Sequence, residues 1–270
     1  YFAKGEEVVK RNLAAIDAGV DSLTKIEVPE SWKTAEDVPA PERKVPSVVT
    51  KFLDPVNAQK GDDLPVSALM RYKDGTIDMG LTAYEKRGIA TRLPVWDPDK
   101  CIQCNKCSYV CPHAVIRPYL LTEEEAAAAP AGLQTRKANG KQASGMLFTM
   151  QISPLDCTGC GSCAAVCPAK EKALTMVNAD PAQEDTSAWE YTVALPEKED
   201  VFDPYTVKGS QFRKPLVEFS AACAGCGETP YIKTITQLFG DHMMVANATG
   251  CSSIYGASFP AAPYCKNSEG

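Results

Sequence analysis

Eight of the chain's twelve cysteines fall into two runs of one spacing. Cys101, Cys104, Cys107 and Cys111 form the first, and Cys157, Cys160, Cys163 and Cys167 the second. Each reads C-x2-C-x2-C-x3-C and is followed by a proline, Pro112 or Pro168. Three thiolates two residues apart can wrap a short loop around one iron–sulfur cubane, while the fourth is displaced and reaches the neighbouring cluster. The spacing therefore predicts two [4Fe–4S] centres that share their motifs. Cluster 1 takes Cys101, Cys104, Cys107 and Cys167, and cluster 2 takes Cys111, Cys157, Cys160 and Cys163. The small residues Gly159, Gly161 and Ser162 allow backbone N–H groups to point at sulfur, which helps set a cluster's potential. Zinc competes for any C-x2-C pair, but three cysteines at two-residue gaps ending in C-x3-C-P, twice over, is not the usual zinc pattern. A disulfide framework has no need of such close spacing. Two neighbouring clusters relay single electrons.

A further set is less determined by spacing. Cys223 and Cys226 make a C-x2-C pair, and Cys251 follows in Thr249-Gly250-Cys251-Ser252-Ser253. A third metal site short of one ligand, a redox dithiol and a zinc site all remain open on that pattern. Cys265 is either a fourth ligand or a small buried hydrophobe. His113, after Cys111-Pro112, reads as a structural part of the turn and His242 as a surface residue. Lys106 and Arg117 are cluster-neutralising or simply solvated.

The elements that must hold these residues alternate with proline-rich stretches. In 270 residues the formal charge is −6 with no basic stripe, which excludes a nucleic-acid partner. No apolar run approaches the roughly 18 residues of a membrane helix. No leader opens the chain, and the clustered cysteines suit a reducing, cytoplasmic setting. The chain begins at Tyr1 rather than Met and ends without closing an element, so it is read as an internal piece of a longer polypeptide. Gly5 to Gly19 shows the apolar spacing of an amphipathic helix, expected to end an upstream domain at residues 1–20. A linker with Pro29, Pro39, Pro41 and Pro46 and a small connecting domain then occupy 21–94. The two-cluster domain is placed at 95–180. An insertion near 122–144 within it is read as a helix over Glu123 to Ala129, then a surface loop. Residues 181–214 read as a second linker, its acidic Glu197 to Asp200 exposed. After it comes a strand at Leu216 to Phe219, a helix at Thr229 to Phe239 and a strand at Met243 to Ala246, a β-α-β beginning at 215–270.

Longer strings carry a resemblance. Cys223-Ala-Gly-Cys-Gly-Glu-Thr-Pro-Tyr231, Gln237-Leu-Phe-Gly-Asp241 and Ala246-Asn-Ala-Thr-Gly-Cys-Ser-Ser-Ile-Tyr-Gly256 resemble the start of the thiamine-diphosphate domain of the 2-oxoacid oxidoreductases. Gly61-Asp-Asp-Leu-Pro-Val-Ser67, Ala83-Tyr-Glu-Lys-Arg-Gly-Ile-Ala90 and the string from Cys101 to His113 resemble the single-chain pyruvate:ferredoxin (flavodoxin) oxidoreductases within that family. The resemblance implies a multidomain α+β and α/β protein, with a ferredoxin-like two-cluster module followed by the start of an α/β thiamine-diphosphate-binding domain. It implies a third, proximal [4Fe–4S] cluster on Cys223, Cys226 and Cys251, with a fourth ligand beyond residue 270. Thr249, Gly250, Cys251 and Ser252 are implied to lie near thiamine diphosphate and its Mg2+. Cys265 is not implied as a ligand, and Arg87 is left between domain packing and CoA binding. The activity implied is oxidative decarboxylation of pyruvate with CoA to acetyl-CoA and CO2, with ferredoxin or flavodoxin as acceptor, in a homodimer. The alternative from the residues alone is a ferredoxin-type electron-transfer subunit without substrate chemistry.

Overall fold

The computed structural model describes residues 2–36, 43–257, 259–267 and 269–270. Pro39 and Pro41 of the expected linker lie outside the described residues. The chain divides into two compact units, Tyr1–Lys44 and Val45–Gly270. In the first, helix α1 (Glu6–Asp21) runs two residues past the expected stop at Gly19 and buries none of its residues. Exposed pairs such as Lys10–Glu6, one turn apart, contribute only a few tenths of a kcal/mol each.

The second unit is built on nested strand pairs. After α2 (Asp54–Asn57), strand β1 (Arg92–Trp96) leads into the first cysteine run. That run includes the short helix α3 (Lys106–Tyr109) and ends at strand β2 (Ile116–Leu121). Beyond α4 (Glu123–Ala127) and β3 (Arg136–Lys137), β4 (Leu147–Ile152) leads into the second run. Helix α5 (Ser162–Val166) and strand β5 (Leu174–Asn178) complete it. The first strand pairs antiparallel with the last, Arg92 opposite Asn178. Inside that pair, β2 pairs with β4, Ile116 opposite Ile152. Pro94 and Pro118 both lie in strands with a free edge, where a missing N–H is tolerated. Trp96, Ile116, Phe148, Met150 and Leu174 fill the space between the pairs together with Cys111, Cys157 and Cys163.

Three stretches differ from the pattern-based reading. The helix expected at Glu123 to Ala129 forms, two residues shorter, and Thr122 starts it. The Thr122 hydroxyl accepts from the Glu125 N–H while the Glu125 carboxylate accepts from the Thr122 N–H, a reciprocal cap. The remainder of the insertion, expected as a loop, supplies β3, which extends the inner sheet along β4. Residues 181–214, expected as a linker, are packed against the core. Helix α6 (Ser187–Val193) buries Trp189, and Phe202 stacks on Phe212 ahead of and behind α7 (Val207–Ser210). Arg117 is accordingly not solvated. It pairs closely with Glu218 and lies 5.1 Å from the centre of the Trp189 ring.

The C-terminal β-α-β reading holds only for its helix, α8 (Thr229–Phe239). Strand pairing at 216–219 is reduced to a single bridge, Val217 to Tyr264. No strand forms over Met243 to Ala246, where Met244 is 99% exposed, because no neighbouring strand offers partners. Instead the last residues join the small core near residue 50. Phe259 meets Phe52 and Tyr72 edge-on at 5.2 and 5.1 Å, and the Gly80 N–H donates to the Tyr264 carbonyl. Residues 45–94 are thus one body with the cysteine runs rather than a separate small domain. Replacing the buried Trp189 with Ala is expected to cost about 3–5 kcal/mol. A fall in the anaerobic guanidinium midpoint measures it, and an unchanged midpoint would show that 181–214 is not part of the core.

Candidate metal centres

The two cysteine loops share one backbone plan. Two residues after its first cysteine, and again four residues after it, each chain enters the left-handed region. In the second loop these positions are Gly159 and Gly161, at φ 68° and 77°, where glycine meets no penalty. In the first they are Gln103 and Asn105, at φ 58° and 59°, a conformation that costs a non-glycine residue about 1–3 kcal/mol. Side-chain bonds offset that cost. The Gln103 amide donates to the Lys137 carbonyl (2.8 Å) and accepts from the Asn139 N–H (2.7 Å). The Asn105 amide donates to the Lys208 carbonyl (2.9 Å). Both turns aim a backbone N–H at sulfur. Gln103 N–H meets Cys101 Sγ and Gly159 N–H meets Cys157 Sγ, each at 3.4 Å.

Two cavities lie between the loops. Cys101, Cys104, Cys107 and Cys167 line one, with Trp96, Met150 and Leu174. Cys111, Cys157, Cys160 and Cys163 line the other, with Pro94, Ile116 and Met176. The fourth cysteine of each run therefore faces the other run's three. Burial, then the neighbouring cysteines, push the Cys107 and Cys163 thiols up, Cys163 to about 12. Cys157 rises to about 11, mainly through burial, against the opposing N–H of Gly159. Four sulfurs so placed resist ionisation together unless a cationic core sits among them. The donor set thus fits an iron–sulfur cube.

The remaining cysteines are arranged differently. Cys223 and Cys251 are exposed and Cys226 is intermediate. Burial acts to raise the Cys226 thiol, but N–H donors of Thr229 and Glu228 outweigh it and the thiol sits below its usual range. Thr249 and Gly250 form the exposed turn before α9 (Cys251–Ala257), whose first two residues are Cys251 and Ser252. Gly225, at φ 71°, brings the Cys223–Cys226 loop against the second cysteine loop. A Cβ there would stand 3.6 Å from that of Cys160. His113, 2% exposed, ties the end of the first cysteine run to the same segment, its ring nitrogens facing the carbonyls of Ser220 (3.1 Å) and Cys223 (3.3 Å). His242 is exposed, and so is Lys106. Cys265 is mostly covered, its Sγ on the Pro263 carbonyl.

Residues that spacing did not single out hold the loops in place. The Arg136 guanidinium donates to the carbonyls of Pro98 and Asp99 at 2.6 and 2.7 Å, at the entry to the first loop. Lys86 pairs at 2.6 Å with Asp156, the residue before Cys157. Arg87 pairs closely with Glu85 and donates to the Ser220 carbonyl at 3.3 Å. Glu85, Lys86 and Arg87 thus brace the second cysteine loop and the approach to Cys223. The charges were visible in sequence, but Asp156 and Ser220, which Lys86 and Arg87 reach, are 70 or more positions away.

Residues 100–171 match the 4Fe-4S dicluster domain family, and this body is a ferredoxin-type module for two [4Fe–4S] clusters. Residues 34–90 match a family described as a domain of unknown function, EKR. Along its whole length the chain is 54% identical to the pyruvate:ferredoxin oxidoreductase of Moorella thermoacetica and 51% to the pyruvate-flavodoxin oxidoreductase of Enterobacter agglomerans. It is 47% identical to the pyruvate dehydrogenase [NADP(+)] of Cryptosporidium parvum. It belongs, as a segment, to the pyruvate:ferredoxin (flavodoxin) oxidoreductase family. It spans 23% of the length of the first two relatives and 15% of the third. No helix among the described residues is long and apolar enough to cross a membrane.

Lys86→Met leaves the Asp156 carboxylate, whose side chain is 3% exposed, with Ser153 Oγ as its remaining side-chain partner. The expected cost is about 1–3 kcal/mol of local stability. Faster amide exchange over residues 155–157 than in Lys86→Arg measures it. Equal exchange in both variants would remove the brace.

Proposed function

We propose that this segment is the iron–sulfur relay of an enzyme that oxidatively decarboxylates pyruvate with CoA and delivers the electrons to ferredoxin or flavodoxin. The observation that carries it is the pair of cavities, each lined by three cysteines of one run and the fourth of the other. Cys101, Cys104, Cys107 and Cys167 hold cluster 1, and Cys111, Cys157, Cys160 and Cys163 hold cluster 2. When bound, such clusters accept and pass on one electron at a time. The chain's own work is to keep the sulfurs dry, spaced and supplied with N–H donors.

Cys223, Cys226 and Cys251 are proposed as three ligands of a further, proximal [4Fe–4S] cluster. Support comes from the abutment of Gly225 on the Cys160 loop and from the N–H groups at Cys226. That contact also orders the relay: proximal set, then cluster 2, then cluster 1, then the outside. The stretch 215–270, with α8 as its helix, is proposed as the start of the thiamine-diphosphate domain. Thr249, Gly250, Cys251 and Ser252 then lie on the side of that cofactor and its Mg2+. A cytoplasmic homodimer completes the proposal, supported by the kind of protein its relatives are.

Exchanging single fourth cysteines tests the crossed ligation. In the intact polypeptide, Cys167→Ala should lose or convert the cluster held by Cys101, Cys104 and Cys107. Cys111→Ala should instead damage the one held by Cys157, Cys160 and Cys163. The paramagnetic spectra of the reduced protein and iron analysis, about twelve atoms per chain for three cubanes, distinguish the two. The crossing fails if Cys111→Ala disturbs the first set. Iron near eight per chain without a pyruvate response would point to a ferredoxin-type subunit lacking substrate chemistry.

A further inference from the structure

Helix α8 is amphipathic in the reverse sense. It buries Thr229, Lys233, Thr236 and Gln237 and leaves Tyr231, Ile235 and Phe239 exposed. Those buried positions recur every three or four residues, so one polar stripe faces the interior. Lys233 lies at its centre and is 2% exposed.

The ammonium has specific partners. Its Nζ donates to the Ser108 carbonyl at close range and to the Tyr109 carbonyl at 3.2 Å. Both belong to the last turn of α3, between Cys107, which lines one cavity, and Cys111, which lines the other. Around it the contacts are neutral. Ser108 Oγ donates to Gln211 Oε1 (3.0 Å), Gln211 Nε2 to Gln237 Oε1 (3.1 Å), and Gln237 Nε2 to the Arg213 carbonyl (2.8 Å). Among the described residues no carboxylate forms a salt bridge with Lys233. Taking a lone ammonium out of water costs several kcal/mol, which structures normally meet with an opposite charge. Burial accordingly pushes the Lys233 amine down to about 8, with the Arg117 guanidinium acting the same way and Cys111 and Cys107 acting to raise it. The nearby anions able to balance it are the two sulfur quartets.

We propose that Lys233 is a positioning residue whose fixed positive charge stands on the turn joining the two quartets, holds the Cys107–Cys111 turn by its carbonyls, and eases electron uptake at both centres. The inference rests on the two-cluster reading above. An added electron makes each quartet more negative, and a cation held on the turn that joins them in a low-dielectric interior favours that state. A neutral side chain of similar length should forfeit it.

The test compares Lys233→Met, Lys233→Gln and Lys233→Arg in the intact polypeptide, with iron per chain and redox titration of the two centres as readouts. With full iron, the Met and Gln variants should lose roughly tenfold in electron affinity at these centres, about 59 mV for one electron, and the Arg variant should stay near the parent. Parental potentials in a fully loaded Met variant overturn the inference. If Met and Gln fail to assemble clusters while Arg succeeds, the demand for charge stands. If Arg fails as well, the position is one of packing and the inference falls. A parent protein without cubane iron would refute the underlying two-cluster reading, before any variant is considered.

Discussion

Eight cysteine sulfurs must be gathered around two spaces inside a protein core, and gathered as anions, although the interior that gathers them opposes their charge. Burial raises the thiols of Cys107, Cys157 and Cys163, so an empty pair of quartets is electrostatically costly. Everything around them serves to reconcile that conflict. The N–H groups of Gln103 and Gly159 reach the sulfurs, and Trp96, Met150 and Leu174 line the first cavity. Lysine enters from α8, which turns a polar stripe inward.

Two loops solve one geometric problem with different chemistry. The second uses Gly159 and Gly161 and needs no help at its left-handed positions. The first places Gln103 and Asn105 there and secures them from outside, through Lys137, Asn139 and Lys208. The insertion and the 181–214 stretch therefore act as a scaffold for the first loop. That dependence explains why chain that looks dispensable is packed so firmly. The buried Trp189 ring, under Arg117, anchors the same stretch from below.

The grouping of the eight cysteines was legible from spacing, and the two cavities gather the same quartets. Helices α4 and α8 were expected too, the second with Pro230 near its start. What the pattern concealed is everything set by distant pairing. A two-residue strand such as β3 carries no periodic signal, and it forms because β4 offers an open edge. Met243 to Ala246 has the composition of a strand, yet composition cannot supply a partner. The braces Lys86–Asp156 and Arg136–Pro98 join positions far apart in the chain, and a lysine inside a helix reads as a solvent-facing residue. The stripe Thr229, Lys233, Thr236, Gln237 was itself a signal, since its polar residues keep helical spacing, but nothing local says which side faces inward.

The nesting of β1 with β5 around β2 with β4 has a consequence for synthesis. The outer pair joins the beginning of the module to its end, and each quartet takes one sulfur from the other cysteine run. Contacts of such long sequence separation form late and slowly. A ribosome-bound chain that has released only the first cysteine run cannot complete either quartet, so the module offers no half-finished site that could be filled. One quartet is complete only once Cys163 has emerged and the other only once Cys167 has, so both close on the last stretch of the module to be made rather than on the first thiols to appear.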